Sequence, residues 1–118
     1  MTETKPESSI TVLITNDRFG IGDARLGEIL MKSFLNTLWD SRPRPQRIIL
    51  MNSGVQLAVE GSDVLDALNL LVKDGVTVLS CGTCLDYYNL RDKLKVGQVT
   101  KMPDTVQSLL TADKIIKI

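Results

Sequence analysis

The chain has no histidine among its 118 residues. This absence excludes Cys-His and Ser-His nucleophile pairs, histidine general bases and histidine-containing metal sites. Only two cysteines are present, Cys81 and Cys84. Two thiolates do not complete the four-ligand shell of a structural zinc ion, and a disulfide between them would close too small a loop to stabilise the chain much. We therefore predict no metal site, no cofactor and no structural disulfide.

The chain also lacks an excess of charge and a long apolar run. It has 14 basic and 14 acidic residues, and its densest basic cluster, Arg42, Arg44 and Arg47, is interrupted by two prolines. Nucleic acids and anionic membranes need clustered cations, so neither is expected as a partner. No segment approaches the ~20 apolar residues of a membrane span. Residues 1–9 lack the apolar centre of a signal peptide, so we predict a cytoplasmic protein whose thiols stay reduced.

Short apolar segments rich in β-branched residues alternate with helical patterns. Near-continuous runs of this kind are typical of strands covered on both faces. They predict strands at residues 10–15, 47–52, 76–80 and 114–118, with a short one around 98–101. Such alternation indicates parallel strands joined by crossover helices. We expect residues 10–118 to form a single three-layer α/β/α sandwich with a mostly parallel five-stranded sheet, preceded by a disordered leader or linker at residues 1–9.

Four helices are predicted between the strands. The first begins after Gly22 with Asp23 as its N-cap. Its apolar stripe follows i, i+4 spacing: Leu26, Leu30, Phe34 and Leu38. This apolar face is wider than one sheet face needs, so its surplus packs on a neighbouring helix or on another subunit. The second helix follows Ser62 and ends at Gly75, a short one covers residues 85–94, and the last begins near Pro103.

Candidate site residues lie in the loops that follow the first three strands. Reactive groups collect at the carboxyl ends of strands in open parallel sheets. The loop residues singled out are Asn16, Asp17, Gly20, Gly22, Asn52, Gly54, Gly82 and Thr83. A dinucleotide fingerprint does not fit Gly20 and Gly22, because the next glycine comes two positions late. Those two glycines either help to form a pocket around the cysteines or only shape a strand-to-helix turn.

The dithiol Cys81-Gly82-Thr83-Cys84 is the motif that carries chemistry. A thiol between a strand and a helix lies where helix N–H groups favour the thiolate, which attacks sulfur or accepts a sulfane sulfur. A second thiol three residues on can resolve the product as a disulfide. We predict Cys81 as the first-reacting thiol and Cys84 as the resolving one. Two alternatives stay open: a non-catalytic scaffold subunit with inert cysteines, and a dithiol-disulfide redox protein.

Several segments resemble one known family. Residues 75–81 (GVTVLSC), the helix after them and residues 109–116 (LLTADKII) resemble the DsrE/DsrF-like sulfur-relay family. Residues 20–23 (GIGD), 31–34 (MKSF) and 81–88 (CGTCLDYY) are similar to its YedF-type branch, which is linked to sulfurtransferase-like selenium metabolism. The resemblance extends over residues 10–118.

This resemblance implies a parallel α/β/α domain that assembles into homo-oligomers. In the relay members, the cysteine that matches Cys81 accepts a persulfide from a small sulfur-carrier protein of the TusA type. Cys84 has no counterpart there. YedF-type chains usually carry such a carrier-like domain in front, so the resemblance implies a donor that acts in trans or an excised domain. Sulfur or selenium transfer through a cysteine persulfide is therefore the expected function.

Overall fold

The computed structural model describes residues 9–118, in which strands and helices alternate. The strands are β1 (Ile10–Ile14), β2 (Arg47–Leu50), β3 (Thr77–Cys81), β4 (Gln98–Thr100) and β5 (Lys114–Lys117). The α-helices are α1 (Ala24–Trp39), α2 (Leu65–Lys73), α3 (Gly82–Tyr87) and α4 (Met102–Thr111). Two 3₁₀ helices, Asn52–Ala58 and Arg91–Lys93, lie between them. No helix in the described residues is long and apolar enough to cross a membrane.

All neighbouring strands pair in parallel, in the order β4-β3-β2-β1-β5. Val12, Ile48 and Val78 stand side by side in the register of three adjacent strands, and all three are buried. Near-continuous apolar runs form these strands because both faces of a parallel sheet are covered. The predicted α/β fold with a parallel five-stranded sheet is thereby confirmed.

The two faces of the sheet are covered unequally. Right-handed crossovers place α1, α2 and α3 on one face, where a single apolar cluster joins the helices to the strands. The connection from β4 to β5 returns across the whole sheet, which places α4 alone on the opposite face. Ile49 is fully buried outside the main cluster, and Thr105 is the one buried residue of α4. The α4 layer is therefore the thinner of the two.

The buried row of α1 is shifted by one residue from the predicted stripe. Asp23 caps the helix as expected, because its Oδ1 accepts the N–H of Leu26 at 2.9 Å. The predicted core residues Leu26 and Leu30, however, are 52% and 41% exposed. The adjacent i, i+4 row is buried instead: Gly27, Met31 and Leu35. That row faces the core because only a glycine fits beside Arg18, whose Cβ would lie 2.8 Å from a Cβ at position 27.

Other predicted boundaries also move. The second helix begins at Leu65 instead of directly after Ser62, and the helix expected over residues 85–94 is α3, which begins at Gly82 and ends at Tyr87. The 3₁₀ helix Asn52–Ala58 was not predicted. Residues 1–8 of the predicted leader lie outside the described residues, whereas Ser9 is tied to the sheet. The N–H of Ser9 donates to Asp113 Oδ2 at 2.8 Å.

The shift on α1 predicts a contrast in stability between two leucines of one helix. Leu35→Ala should lower the free energy of unfolding by about 2–5 kcal/mol, because it removes a fully buried side chain. Leu30→Ala should cost less than about 1 kcal/mol, because its side chain is largely in water. Urea denaturation of both variants measures the difference. Equal losses would contradict the rotation of α1 described above.

Candidate functional site

The two cysteines lie on either side of the junction between β3 and α3. Cys81 is the last residue of β3, and its side chain is 4% exposed and belongs to the main apolar cluster. Cys84 is the third residue of α3 and is partly exposed. Both thiols are free. The structure thus places one sulfur inside the core and the other at its surface.

Asn52 connects the end of β2 to Cys84. Its backbone N–H donates to the Cys84 Sγ at 3.1 Å. The Asn52 backbone has a φ of +52°, a left-handed conformation that asparagine adopts more readily than most residues. Its side chain is held as well, because the Tyr88 hydroxyl donates to Asn52 Oδ1 at 3.0 Å. The position of this N–H is therefore fixed from the backbone and from the side chain.

A cavity of about 600 Å³ opens over Cys84. Its walls come from β1, the end of β2 and α3, and the lining residues are Thr15, Met51, Asn52, Thr83, Cys84, Tyr87 and Tyr88. The two tyrosine rings meet edge to face, with their centroids 5.4 Å apart. None of the lining residues is acidic or basic, and Cys81 is not among them. The cavity therefore offers one thiol, hydroxyl and amide groups, and apolar surface.

Burial and the neighbouring cysteine raise the pKa of the Cys84 thiol above that of an ordinary cysteine. Burial is the largest cause, followed by a hydrogen bond with the Cys81 side chain, and a negative charge on Cys81 adds to the effect. The N–H of Asn52 acts in the opposite direction, because it favours the thiolate. The two sulfur atoms are thus in contact, and their protonation is linked.

The loops beneath this cavity are held by close packing. A Cβ at position 54 would lie 2.5 Å from the carbonyl oxygen of Ile14, so only glycine allows the 3₁₀ helix to lie against the end of β1. Ser53 Oγ accepts the N–H of Asp17 at 3.2 Å, and Asn16 Oδ1 accepts the N–H of Arg18 at 2.9 Å. These contacts join the loops after β1 and β2 directly below the site.

A second support lies on the other side of the cysteines. Gly82 is buried, and a Cβ there would lie 2.7 Å from a guanidinium nitrogen of Arg91. That guanidinium forms two hydrogen bonds with Asp86, at 2.7 and 3.0 Å, and lowers the pKa of the carboxyl group. The nearest cation of α3 is therefore already paired with a carboxylate of the same helix.

The predicted site residues divide into three groups. Asn52, Thr83 and Cys84 line the thiol cavity, with Cys81 below them. Asn16, Gly54 and Gly82 support the loops. Asp17 lines a different cavity, and Gly20 and Gly22 lie in the exposed loop before α1 with open space around them.

Sequence reasoning missed Thr15, Met51, Tyr87 and Tyr88. Tyr88 carried a usable signal, because it follows Cys84 by four residues and hence lies on the same side of a helical turn. The chain has only two tyrosines, and both are at this site. No comparable signal marked Met51 or Thr15.

The different cavity has a volume of about 570 Å³ and lies between α1 and the loop before α2. Its walls carry both signs of charge, including Arg25, Lys32, Glu28 and Glu60, and it contains no cysteine. Within residues 9–118, no three His, Cys, Asp or Glu side chains come together as a metal site would require. The chemistry of the described region is therefore concentrated at the thiol cavity.

A parallel five-stranded sheet with a cysteine at the end of β3 defines an α/β domain of the sulfur-relay type. Residues 11–118 match the DsrE/DsrF-like family, and the chain belongs to that family. The crystal structure of the YchN protein from E. coli shares the fold, with a TM-score of 0.74 and 17% identity. Protein MTH1491 from Methanobacterium thermoautotrophicum, described as a protein of unknown function, has a TM-score of 0.67 and 18% identity. Each alignment covers 95% of this chain and 100% of the other. No curated protein matches the chain in sequence.

The linked protonation of the two thiols predicts the effect of removing one of them. Cys81→Ala should lower the pKa of Cys84, because both the hydrogen bond and the charge that raise it are lost. The rate of alkylation of Cys84 by iodoacetamide, followed against pH by peptide mass spectrometry, should therefore reach half its maximum at a lower pH in the variant. An unchanged or higher midpoint would show that Cys81 does not act on Cys84.

Proposed function

We propose that this protein transfers sulfur and carries it as a persulfide on the Cys81–Cys84 pair. The supporting observation is the pair itself: two free thiols in hydrogen-bond contact, one of which opens into a cavity and accepts a backbone N–H. Membership of the DsrE/DsrF-like family is consistent with a sulfur-relay role. A reducing cytoplasm, as predicted from the sequence, would keep both thiols available.

The loading step is an exchange between a thiolate and a persulfide. A cysteine thiolate of the pair attacks the terminal, sulfane sulfur of a donor persulfide, R–S–SH. A new S–S bond forms on the protein, the S–S bond of the donor breaks, and the donor leaves as the thiolate R–S⁻ with the electron pair. The proton of the persulfide stays with the transferred sulfur, so no external oxidant or reductant is needed.

The lining of the cavity favours an organic persulfide over an inorganic donor. Thiosulfate is a dianion, and burial of its charge would need cations. None of the lining residues is charged, and the nearby Arg91 is paired with Asp86. A persulfide carried on the exposed cysteine of a small protein needs no such compensation. We propose a carrier protein of the TusA type, acting in trans, as the donor.

Two finer features of the family resemblance are also proposals. Residues that resemble the YedF-type branch, above all 81–88, suggest selenium as a cargo alternative to sulfur. Assembly into homo-oligomers is supported by apolar side chains that remain in water on the thin side of the sheet, such as Val106, Leu110 and Ile115. Covering them with another copy of the chain would bury apolar area.

Sulfur transfer predicts a stoichiometric reaction with glutathione persulfide. On mixing without a reductant, the wild type should release about one glutathione thiol per chain, because each transfer frees one donor thiolate. The double variant Cys81→Ala, Cys84→Ala should release none, and thiosulfate should leave the wild type unloaded. Intact-protein mass spectrometry and quantification of the freed thiol measure both.

The outcomes separate the rival functions. No release by a folded wild type would exclude sulfur transfer and leave a scaffold in which the cysteines are packing residues. Oxidation of the pair by glutathione disulfide without any reaction with the persulfide would favour the dithiol redox protein. The contact between the two sulfur atoms is the observation that makes this second function worth testing.

A further inference from the structure

We infer that Cys84, and not Cys81, is the thiol that reacts first with the sulfur donor, and that Cys81 then resolves the persulfide formed on Cys84. This inference rests on the proposed function and assigns an order to its two thiols. The order is the reverse of the sequence-based prediction, which stays a prediction until it is tested.

Access to the donor distinguishes the two sulfur atoms. Exchange at sulfur requires the attacking thiolate to approach in line with the S–S bond that breaks, so the donor needs open space next to the attacking atom. Cys84 lines the cavity of about 600 Å³, whereas Cys81 does not line it and is 4% exposed. Cys81 belongs instead to the apolar core together with Val55 and Leu85. A donor that enters the cavity therefore meets Cys84.

The hydrogen bonds favour the same order. The N–H of Asn52 points at the Cys84 Sγ, where it stabilises negative charge on a thiolate. Cys81 occupies the N-cap position of α3, but its side chain makes no capping hydrogen bond. The hydroxyl of Tyr88 holds the side chain of Asn52 and is the positioning group of this arrangement. The predicted activation of Cys81 by helix N–H groups has no such contact to support it.

The contact between the sulfur atoms gives Cys81 the second step. A sulfane sulfur loaded on Cys84 extends into the cavity, because that is the open side of the Cys84 Sγ. Cys81 touches Cys84 from the core side, opposite to the sulfane sulfur. That placement suits in-line attack of the Cys81 thiolate on the Cys84 Sγ. The Cys81–Cys84 disulfide bond forms, the bond to the sulfane sulfur breaks, and hydrosulfide leaves with the electron pair.

This second step conserves atoms and electrons. The sulfane sulfur is reduced to the level of sulfide, and the two cysteine sulfurs are together oxidised by two electrons. Two equivalents of a low-molecular-weight thiol return the disulfide to the dithiol and are themselves oxidised to a disulfide. The product is thus hydrosulfide, unless an acceptor thiol takes the sulfane sulfur from Cys84 before Cys81 reacts.

The two single-cysteine variants test the order and serve as controls for each other. After rapid mixing with glutathione persulfide, Cys81→Ala should gain one sulfur on Cys84 and keep it, because no resolving thiol remains. Cys84→Ala should load at least about tenfold more slowly, because its remaining thiol is buried. The wild type should release hydrosulfide and end as the disulfide. Quenched mass spectrometry with peptide mapping locates the added sulfur, and thermal unfolding confirms that each variant is folded.

A measurement on the unmodified protein covers the case of a variant that fails to fold. In the wild type, iodoacetamide should modify Cys84 at least about tenfold faster than Cys81. Faster modification of Cys81, or loading of Cys84→Ala at the wild-type rate while Cys81→Ala does not load, would overturn the order and leave sulfur transfer intact. Absence of loading in the wild type would instead overturn the proposed function itself.

Discussion

The approach of Gly54 to the carbonyl oxygen of Ile14 is the constraint on which the site depends. A Cβ at position 54 would lie 2.5 Å from that oxygen, well inside van der Waals contact. The same carbonyl accepts the N–H of Met51 at 2.9 Å, which continues the pairing of β1 with β2 into the loop. The chain can therefore turn at Asn52 and enter the 3₁₀ helix while it remains against the sheet. That turn directs the Asn52 N–H at Cys84. Any side chain at position 54 would separate the two loops and withdraw that hydrogen bond.

The chemistry of the site has to work without a histidine. The proton of Cys84 can pass only to water or to Cys81, since none of the residues that line the cavity is charged. A raised pKa reduces the thiolate fraction at neutral pH, but the thiolate that does form is a stronger nucleophile. The N–H of Asn52 recovers part of the lost thiolate. This balance suits exchange with a donor brought to the site by binding more than rapid turnover of a dilute small molecule.

The sequence predicted the strands well because both faces of a parallel sheet are buried, so the signal is an uninterrupted apolar run. It also predicted that the loops after β1, β2 and β3 meet, since parallel strands share one carboxyl edge. It could not predict the row of α1 that faces the core, because two adjacent rows are apolar and a small residue, Gly27, decides between them. The positive φ of Asn52 and the hydrogen bond to Cys84 depend on packing between distant segments, which no local pattern encodes.

The backbone path explains why the second cysteine of the motif is the open one. Cys81 is still a strand residue, aligned with Thr100 of β4, so the sheet fixes its side chain in the core. The chain then turns into α3 at Gly82, whose missing side chain leaves room for Arg91. Cys84 comes three residues later, beyond the edge of the sheet, and faces the loop that β2 supplies. A sulfur at position 81 is thereby kept from water, while a sulfur at position 84 faces both the solvent and its partner. The spacing of the two cysteines thus converts the end of a strand into a site with an outer and an inner thiol.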